Sequence, residues 1–149
     1  MSAVPKPKSQ DMAATREPGR AAWDATDMKP GDLASRYVDV AEIPWKPTPY
    51  PGIDMKILLK DERSGLMTAL FRWAPGSALG LHEHVEIEQS YVLEGSIEDE
   101  EGVCTAGNFV WRPKGNRHVA RSPNGALLLA MFLRPNIFLG DGLQGQKLE

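Results

Sequence analysis

GSALGLHEHVEIEQSYVLEG at residues 76–95 and GNFVWRPKGNRH at residues 107–118 are short extended segments marked off by glycine and proline. Glycine accepts the backbone conformations of tight turns, and proline stiffens them. The segments between read as strands at Leu79–His84, Ile87–Leu93, Phe109–Arg112 and Val119–Arg121. Two residues apart on a strand, His82 and His84 project from one face, about 6–7 Å from each other. Glu88 follows, and a short reversal returns it beside them. His118 lies far along the chain and has to be brought in by the fold.

Working outward, the same period of two continues on both sides. Ile53, Met55, Ile57 and Leu59 alternate with Asp54, Lys56, Leu58 and Lys60, the pattern of a half-buried strand. Asp61–Gly65 is a turn, and Leu66–Trp73 is a second strand ended by Ala-Pro-Gly-Ser. Ala126–Leu133 (ALLLAMFL) is apolar on both faces, as in a strand covered on both sides. From Gly52 on, no stretch repeats at a helical period. Eight or more short strands with Gly and Pro turns predict an all-β antiparallel sandwich or barrel.

The first residues have another texture, with Pro5, Pro7, Pro18 and Pro30 scattered among Ala, Lys and Arg. Residues 1–32 are expected to be an irregular, flexible arm, with a short helix around Ala21–Met28 as an alternative. Leu33–Ile43 carries strand formers able to pair with the main sheet or a neighbouring subunit. Pro44, Pro47, Pro49 and Pro51 make a stiff, extended connection. The barrel domain is expected over residues 33–139, followed by a polar, Gly-rich tail at 140–149.

Composition narrows the function. With 149 residues and 16.4 kDa, the chain fits one domain with an arm. A net charge of −3 and a pI near 5.6 argue against nucleic acid as the main partner. No apolar run approaches the ~18–20 residues of a membrane span. The N-terminus lacks the basic-then-apolar pattern of a secretory signal, so a cytoplasmic location is expected. The single cysteine, Cys104, cannot build an intramolecular disulfide or a Cys-rich zinc site, and reads as a small strand residue.

The chemistry is concentrated in the only three histidines, His82, His84 and His118. Three imidazoles and the Glu88 carboxylate suit one divalent transition metal: Fe, Mn, Ni, Cu or Zn rather than Mg or Ca. Four protein ligands leave two octahedral positions for water or substrate. The spacing is specific: Gly76, five residues, His82-x-His84, three residues, Glu88, six residues, Gly95; then Gly107, five residues, Pro113-x-Gly115, two residues, His118. At average residue usage, nine such positions meet by accident on the order of once in 10⁸.

These blocks resemble the two signature motifs of the cupin superfamily (RmlC-like) over about Gly52–Leu133. The second motif ordinarily ends in Asn where this chain has Ser122, a departure that weakens a turn contact and touches no ligand. The resemblance implies a jelly-roll-like cupin β-barrel with His82, His84, Glu88 and His118 converging on one metal. Asp99-Glu100-Glu101-Gly102, Ala106-Gly107, Pro113 to His118, Ser122 and Gly125 are similar to the ChrR-like cupins. That subgroup includes the zinc-binding half of ChrR anti-sigma factors and lies near iron dioxygenases that cleave acetylacetone or 2,4'-dihydroxyacetophenone. It implies an Fe(II) dioxygenase cleaving a C–C bond of a small dicarbonyl or hydroxy-ketone, with Zn(II), Mn(II) or Ni(II) as other metals. The acetylacetone-cleaving relatives have a three-histidine site without carboxylate, so Glu88 favours a hydroxy-ketone or another related substrate over acetylacetone. The alternatives are a non-catalytic zinc or ligand-sensing module and a small-molecule lyase or isomerase.

Other residues complete the expectations. Ser90 shares a face with Glu88 and is a pocket candidate. One of Arg72 and Trp73 faces inward, which makes Arg72 a second candidate. Between His82 and Glu101 there are eight acidic residues and no basic one, and between Trp111 and Arg121 four basic and no acidic. This reads as two strand faces paired across the sheet, with Arg112, Arg117 or Arg121 alternatively at the mouth. Phe109 and Trp111 read as core. Open sheet edges predict a homodimer, with Leu33–Ile43 and Ala126–Leu133 as candidate interface strands.

Overall fold

The structure, a computed structural model, describes residues 35–140. The expected arm at 1–32, the helix alternative within it and nearly all of the 140–149 tail lie outside the described residues. Ten strands run in chain order: β1 (Lys46–Pro47), β2 (Ile53–Asp61), β3 (Leu66–Trp73), β4 (Ser77–Glu83), β5 (Glu88–Glu98), β6 (Val103–Thr105), β7 (Phe109–Arg112), β8 (Arg117–Ser122), β9 (Ala126–Phe132) and β10 (Ile137–Phe138). All pairings are antiparallel, in the order β1-β2-β3-β9-β5-β8-β4-β10, with β6 and β7 along the other edge of β5. Among the described residues there is no helix, and so none long and apolar enough to cross a membrane. The all-β expectation holds.

β5 belongs to both halves of the curled sheet. Its first half, from Glu88, lies between β7 and β9, and its last residues lie between β6 and β8. The bend falls at Gly95, which has a φ of +68°. A Cβ there would sit 2.0 Å from the Gly125 carbonyl oxygen, so the crossing needs a residue without a side chain. The core fills the space between the halves: Ile53, Met55, Ala69, Phe71, Trp73, Val92, Leu128, Ala130 and Phe132 among others. Alternation delivers them, because period-two strands put every second side chain on the concave face.

Three register shifts, one of them between Ile57 and Leu59 of β2, change that phase. Across β4 and β8, Leu79 opposes Ala120 and His82 opposes His118, so β4 carries one extra residue. Leu79 and His82 therefore both point inward although their spacing is odd, and Leu81 points out. Another bulge, between Val92 and Glu94, leaves Glu94 outward beside Leu93, so Glu88, Ser90 and Val92 face the core before it and Ile97 after it.

Several expectations are corrected. Phe109 and Trp111 are not core: they are 48% and 56% exposed, because Val110 and Arg112 take the inward face of β7. The described part of Leu33–Ile43 forms no strand; a turn closes from Glu42 to Asp39, and Val40 is held by the Lys56 ammonium at 2.9 Å. Residues 126–132 form an interior strand between β3 and β5, so they offer no free edge. Its second face, Leu127, Leu129 and Met131, is only half-buried. Ser122, where the family pattern has Asn, is buried and donates its hydroxyl to the Ser96 carbonyl at 2.7 Å.

Replacing Gly95 should be far costlier than replacing a turn glycine with open space. Gly95→Ala is expected to lose at least about 3 kcal/mol of unfolding free energy in denaturant titration. Gly76→Ala, with positive φ but nothing near its added Cβ, should lose about 1–2 kcal/mol. Equal losses would contradict the crowding at the bend.

Candidate metal centre

The centre is assembled by register. The β4–β8 pairing places His82 opposite His118. His84, just past β4, is tied to the loop before β8 by its N–H to the Asn116 carbonyl (3.0 Å) and its carbonyl from Gly115 N–H (2.7 Å). The ring nitrogens of the three histidines lie within 4.8 Å of one another, and all three residues are buried. His118 Nε2 stands 3.0 Å from His82 Nε2 and 3.1 Å from His84 Nε2.

The outer nitrogens explain what this arrangement can hold. His82 Nδ1 donates to the Gly80 carbonyl at 2.8 Å, and His118 Nδ1 to Asp99 Oδ2 at 2.9 Å. His84 Nδ1 lies 3.1 Å from Glu88 Oε2, a close contact whose alignment falls short of a hydrogen bond. The acceptors at His82 and His118 keep those ring protons outward and turn the two Nε2 lone pairs inward, and His84 Nε2 is aimed at the same point. Lone pairs 3.0 and 3.1 Å apart repel unless a cation lies among them. The donor set fits a borderline divalent transition metal. Burial lowers the His82 pKa to about 4, helped by the charges of its histidine neighbours, so the ring is neutral at pH 7. His118 is lowered too, first by burial and then by the Arg112 charge.

Glu88 stands at the margin of this group. Its Oε2 accepts from Asn136 Nδ2 at 2.8 Å, and its Oε1 from the Ser90 hydroxyl at 3.4 Å. Burial pushes its pKa up, but the His84 contact and the Asn136 hydrogen bond outweigh it and hold the pKa at about 2. The three imidazoles meet one another; the carboxylate meets the back of one of them. Ser90 is buried on the face it shares with Glu88, as expected.

The arginine candidates separate. Arg112 is buried, and its Nη2 pairs with Asp99 Oδ2 at 2.8 Å. Both line a cavity of about 400 Å³ under β6 and β7, with Ile97, Cys104, Val110 and Asn116. Arg72 lies on the outer face of β3, paired with Asp54 and stacked 4.4 Å over Trp45, because Trp73 takes the inward position. It does not join the histidines. The opposite charges of the two acidic and basic runs do pair, as Glu83 with Arg117 and Glu86 with Lys114.

Asp99 and Asn136 were not singled out by sequence. Asp99 lies inside the acidic run and opens the Asp99-Glu100-Glu101-Gly102 stretch that resembles the ChrR-like cupins, which was the available signal. Asn136 had none, being outside both blocks.

A model of the ChrR Cupin-like domain matches residues 33–136. The chain belongs to the ChrR cupin-like family. A comparison with curated proteins finds no match. Among solved structures, this cupin is similar to a putative acetylacetone dioxygenase of Methylibium petroleiphilum PM1, at 23% identity and a TM-score of 0.69, covering 82% of this chain and 91% of that one. The acetylacetone dioxygenase of Acinetobacter johnsonii gives 21% identity, a TM-score of 0.68 and coverage of 82% and 88%. The Rhodobacter sphaeroides SigE complex with the anti-sigma ChrR gives 21%, 0.55, and coverage of 63% and 51%. At these identities the likeness establishes the cupin fold.

The buried rings make the metal-free cupin acid-sensitive. Above pH 6.5 His82 is neutral folded and unfolded, and contributes no pH dependence. Between about 6.5 and 4 the unfolded chain takes up a proton that the folded ring refuses, so stability falls as pH falls. A shift of this size corresponds to about 3 kcal/mol. Urea midpoints of chelator-treated protein should therefore be lower at pH 5 than at pH 7.5, and equal midpoints would refute the neutral buried ring.

Proposed function

We propose that this cupin is an Fe(II)-dependent dioxygenase that cleaves a C–C bond of a small dicarbonyl or hydroxy-ketone. The observation carrying the reading is the convergence of three buried Nε2 atoms, with the His82 and His118 rings each held by an acceptor behind them. His82, His84 and His118 are the indispensable donors; Glu88, which here meets the back of His84, becomes the fourth when its carboxylate turns from Nδ1 toward the centre. Iron bound there supplies Lewis acidity to substrate oxygens and one-electron chemistry toward dioxygen. The chain's part is to keep His82 and His118 neutral, to bury all three imidazoles from water, and to place Arg112 in the wall of the cavity beside Asp99.

A non-catalytic zinc module is the second reading, favoured by the likeness to the ChrR complex. Metal analysis of protein purified without chelator separates the two. Iron, with oxygen consumed on a panel of diketones and aryl hydroxy-ketones, supports the enzyme; tightly held zinc with no oxygen uptake supports the sensor. Single substitutions test the donor set. His118→Ala should leave the site largely empty, whereas Glu88→Gln should keep metal and lose at least about tenfold in activity. Full metal occupancy in a folded His118→Ala protein would sink the four-donor site.

We also propose that the cupin is a homodimer. The exposed side chains of Tyr91, Phe109 and Trp111 share the outer face of β5 and β7, beside the half-buried Leu129 and Met131 of β9. Sedimentation at micromolar concentration should give a dimer, and a species near 16 kDa contradicts it.

A further inference from the structure

Asp99 is placed with unusual completeness for a residue in a hairpin turn. Both carboxylate oxygens are used twice. Oδ1 accepts the N–H groups of Glu101 (2.9 Å) and Gly102 (3.2 Å), which closes the turn between β5 and β6. Oδ2 accepts His118 Nδ1 at 2.9 Å and Arg112 Nη2 at 2.8 Å. The Asp99 and Arg112 side chains are each only 8% exposed, and His118 is 4% exposed. The turn therefore fixes one oxygen, and that oxygen fixes the histidine.

A carboxylate beside Nδ1 can only accept, so it requires the Nδ1–H tautomer and leaves Nε2 as a lone pair aimed at the other two rings. Arg112, from β7, neutralises the buried charge and prevents the carboxylate from turning away. Of the three outer acceptors, the Gly80 carbonyl belongs to the strand that carries His82, and Glu88 stands out of line with His84. Asp99 alone is a side chain, aligned for a hydrogen bond and delivered from a different element.

We propose that Asp99 is a positioning residue for the metal centre: held by its turn and by Arg112, it selects the His118 tautomer that makes Nε2 a donor. The inference rests on the metal reading above, and its test has one arm that does not. In metal-free protein labelled with ¹⁵N-histidine, the His118 ring should be in the Nδ1–H form. In Asp99→Asn the side-chain amide can retain the turn through its oxygen and present N–H to the ring, which should shift His118 toward Nε2–H. Cobalt(II) titration followed by its visible absorption should then show affinity 10- to 100-fold weaker for Asp99→Asn and Asp99→Ala than for the unsubstituted chain.

A His118 ring found as Nε2–H in the unsubstituted metal-free protein overturns the proposal, whether or not any variant folds. So do folded Asp99 variants that bind cobalt(II) within twofold of it with an unchanged ring. If the unsubstituted protein takes up no cobalt(II), the metal reading fails, and the tautomer shift in Asp99→Asn still decides the role of Asp99.

Discussion

Gly95 has no room for a side chain, and β5 can serve two halves of the sheet only because of that. The strand leaves the neighbourhood of β7 and β9 and enters that of β6 and β8 within a few residues. The Gly125 carbonyl presses against the outside of the bend. A barrel needs a strand that turns this corner, since a flat sheet could not bring β4 and β8 over the apolar face of β3 and β9. Once the corner is made, Glu88 at one end of β5 and Asp99 just past the other reach the same cluster, the first at His84 and the second at His118.

The interior that results is apolar on one side and basic in the chemical sense on the other. Phe138 stacks 5.3 Å from His82, so the hydrophobic core runs directly into the imidazoles. Burial disfavours the charged forms of His82 and His118, and a neutral ring leaves its lone pair available. The two carboxylates nearest them remain ionised for a different reason. Glu88 and Asp99 lose solvation, but each is compensated by its own partners: His84 and Asn136 for the first, Arg112 and the turn amides for the second. Negative charge is thus held just behind a cluster of neutral donors, an arrangement that favours a cation at the centre.

The same charges organise the wall around the site. Acidic side chains near β4 and β5 meet basic ones from β7, β8 and the loop between them, and only the Asp99–Arg112 pair is deeply buried. The outer pairs are exposed and contribute little to stability. The buried pair has a place in the geometry, since it forms part of the cavity wall and touches His118. Charges that read in sequence as one run therefore divide into solvated pairs and one structural relay.

The sequence by itself determined seven of the strands from Gly52 onward and the pairing of His82 with His84 on one face, because period two and glycine punctuation are local properties. It missed the short β6 and β10, ended a strand at Leu93 where β5 runs on to Glu98, and left His118 to be brought in by the fold. Arg72 against Trp73 and Phe109 against Val110 were decided only by the tertiary structure, since alternation says that neighbours differ in face but not which one faces in. The inward pair Leu79 and His82 depends on the extra residue in β4, and a bulge moves the phase by one without altering the period on either side. Asp99 and Asn136 depend on more distant geometry. Their partners lie 19 and 48 residues away along the chain, and a hydrogen bond across that separation exists only once the barrel has closed.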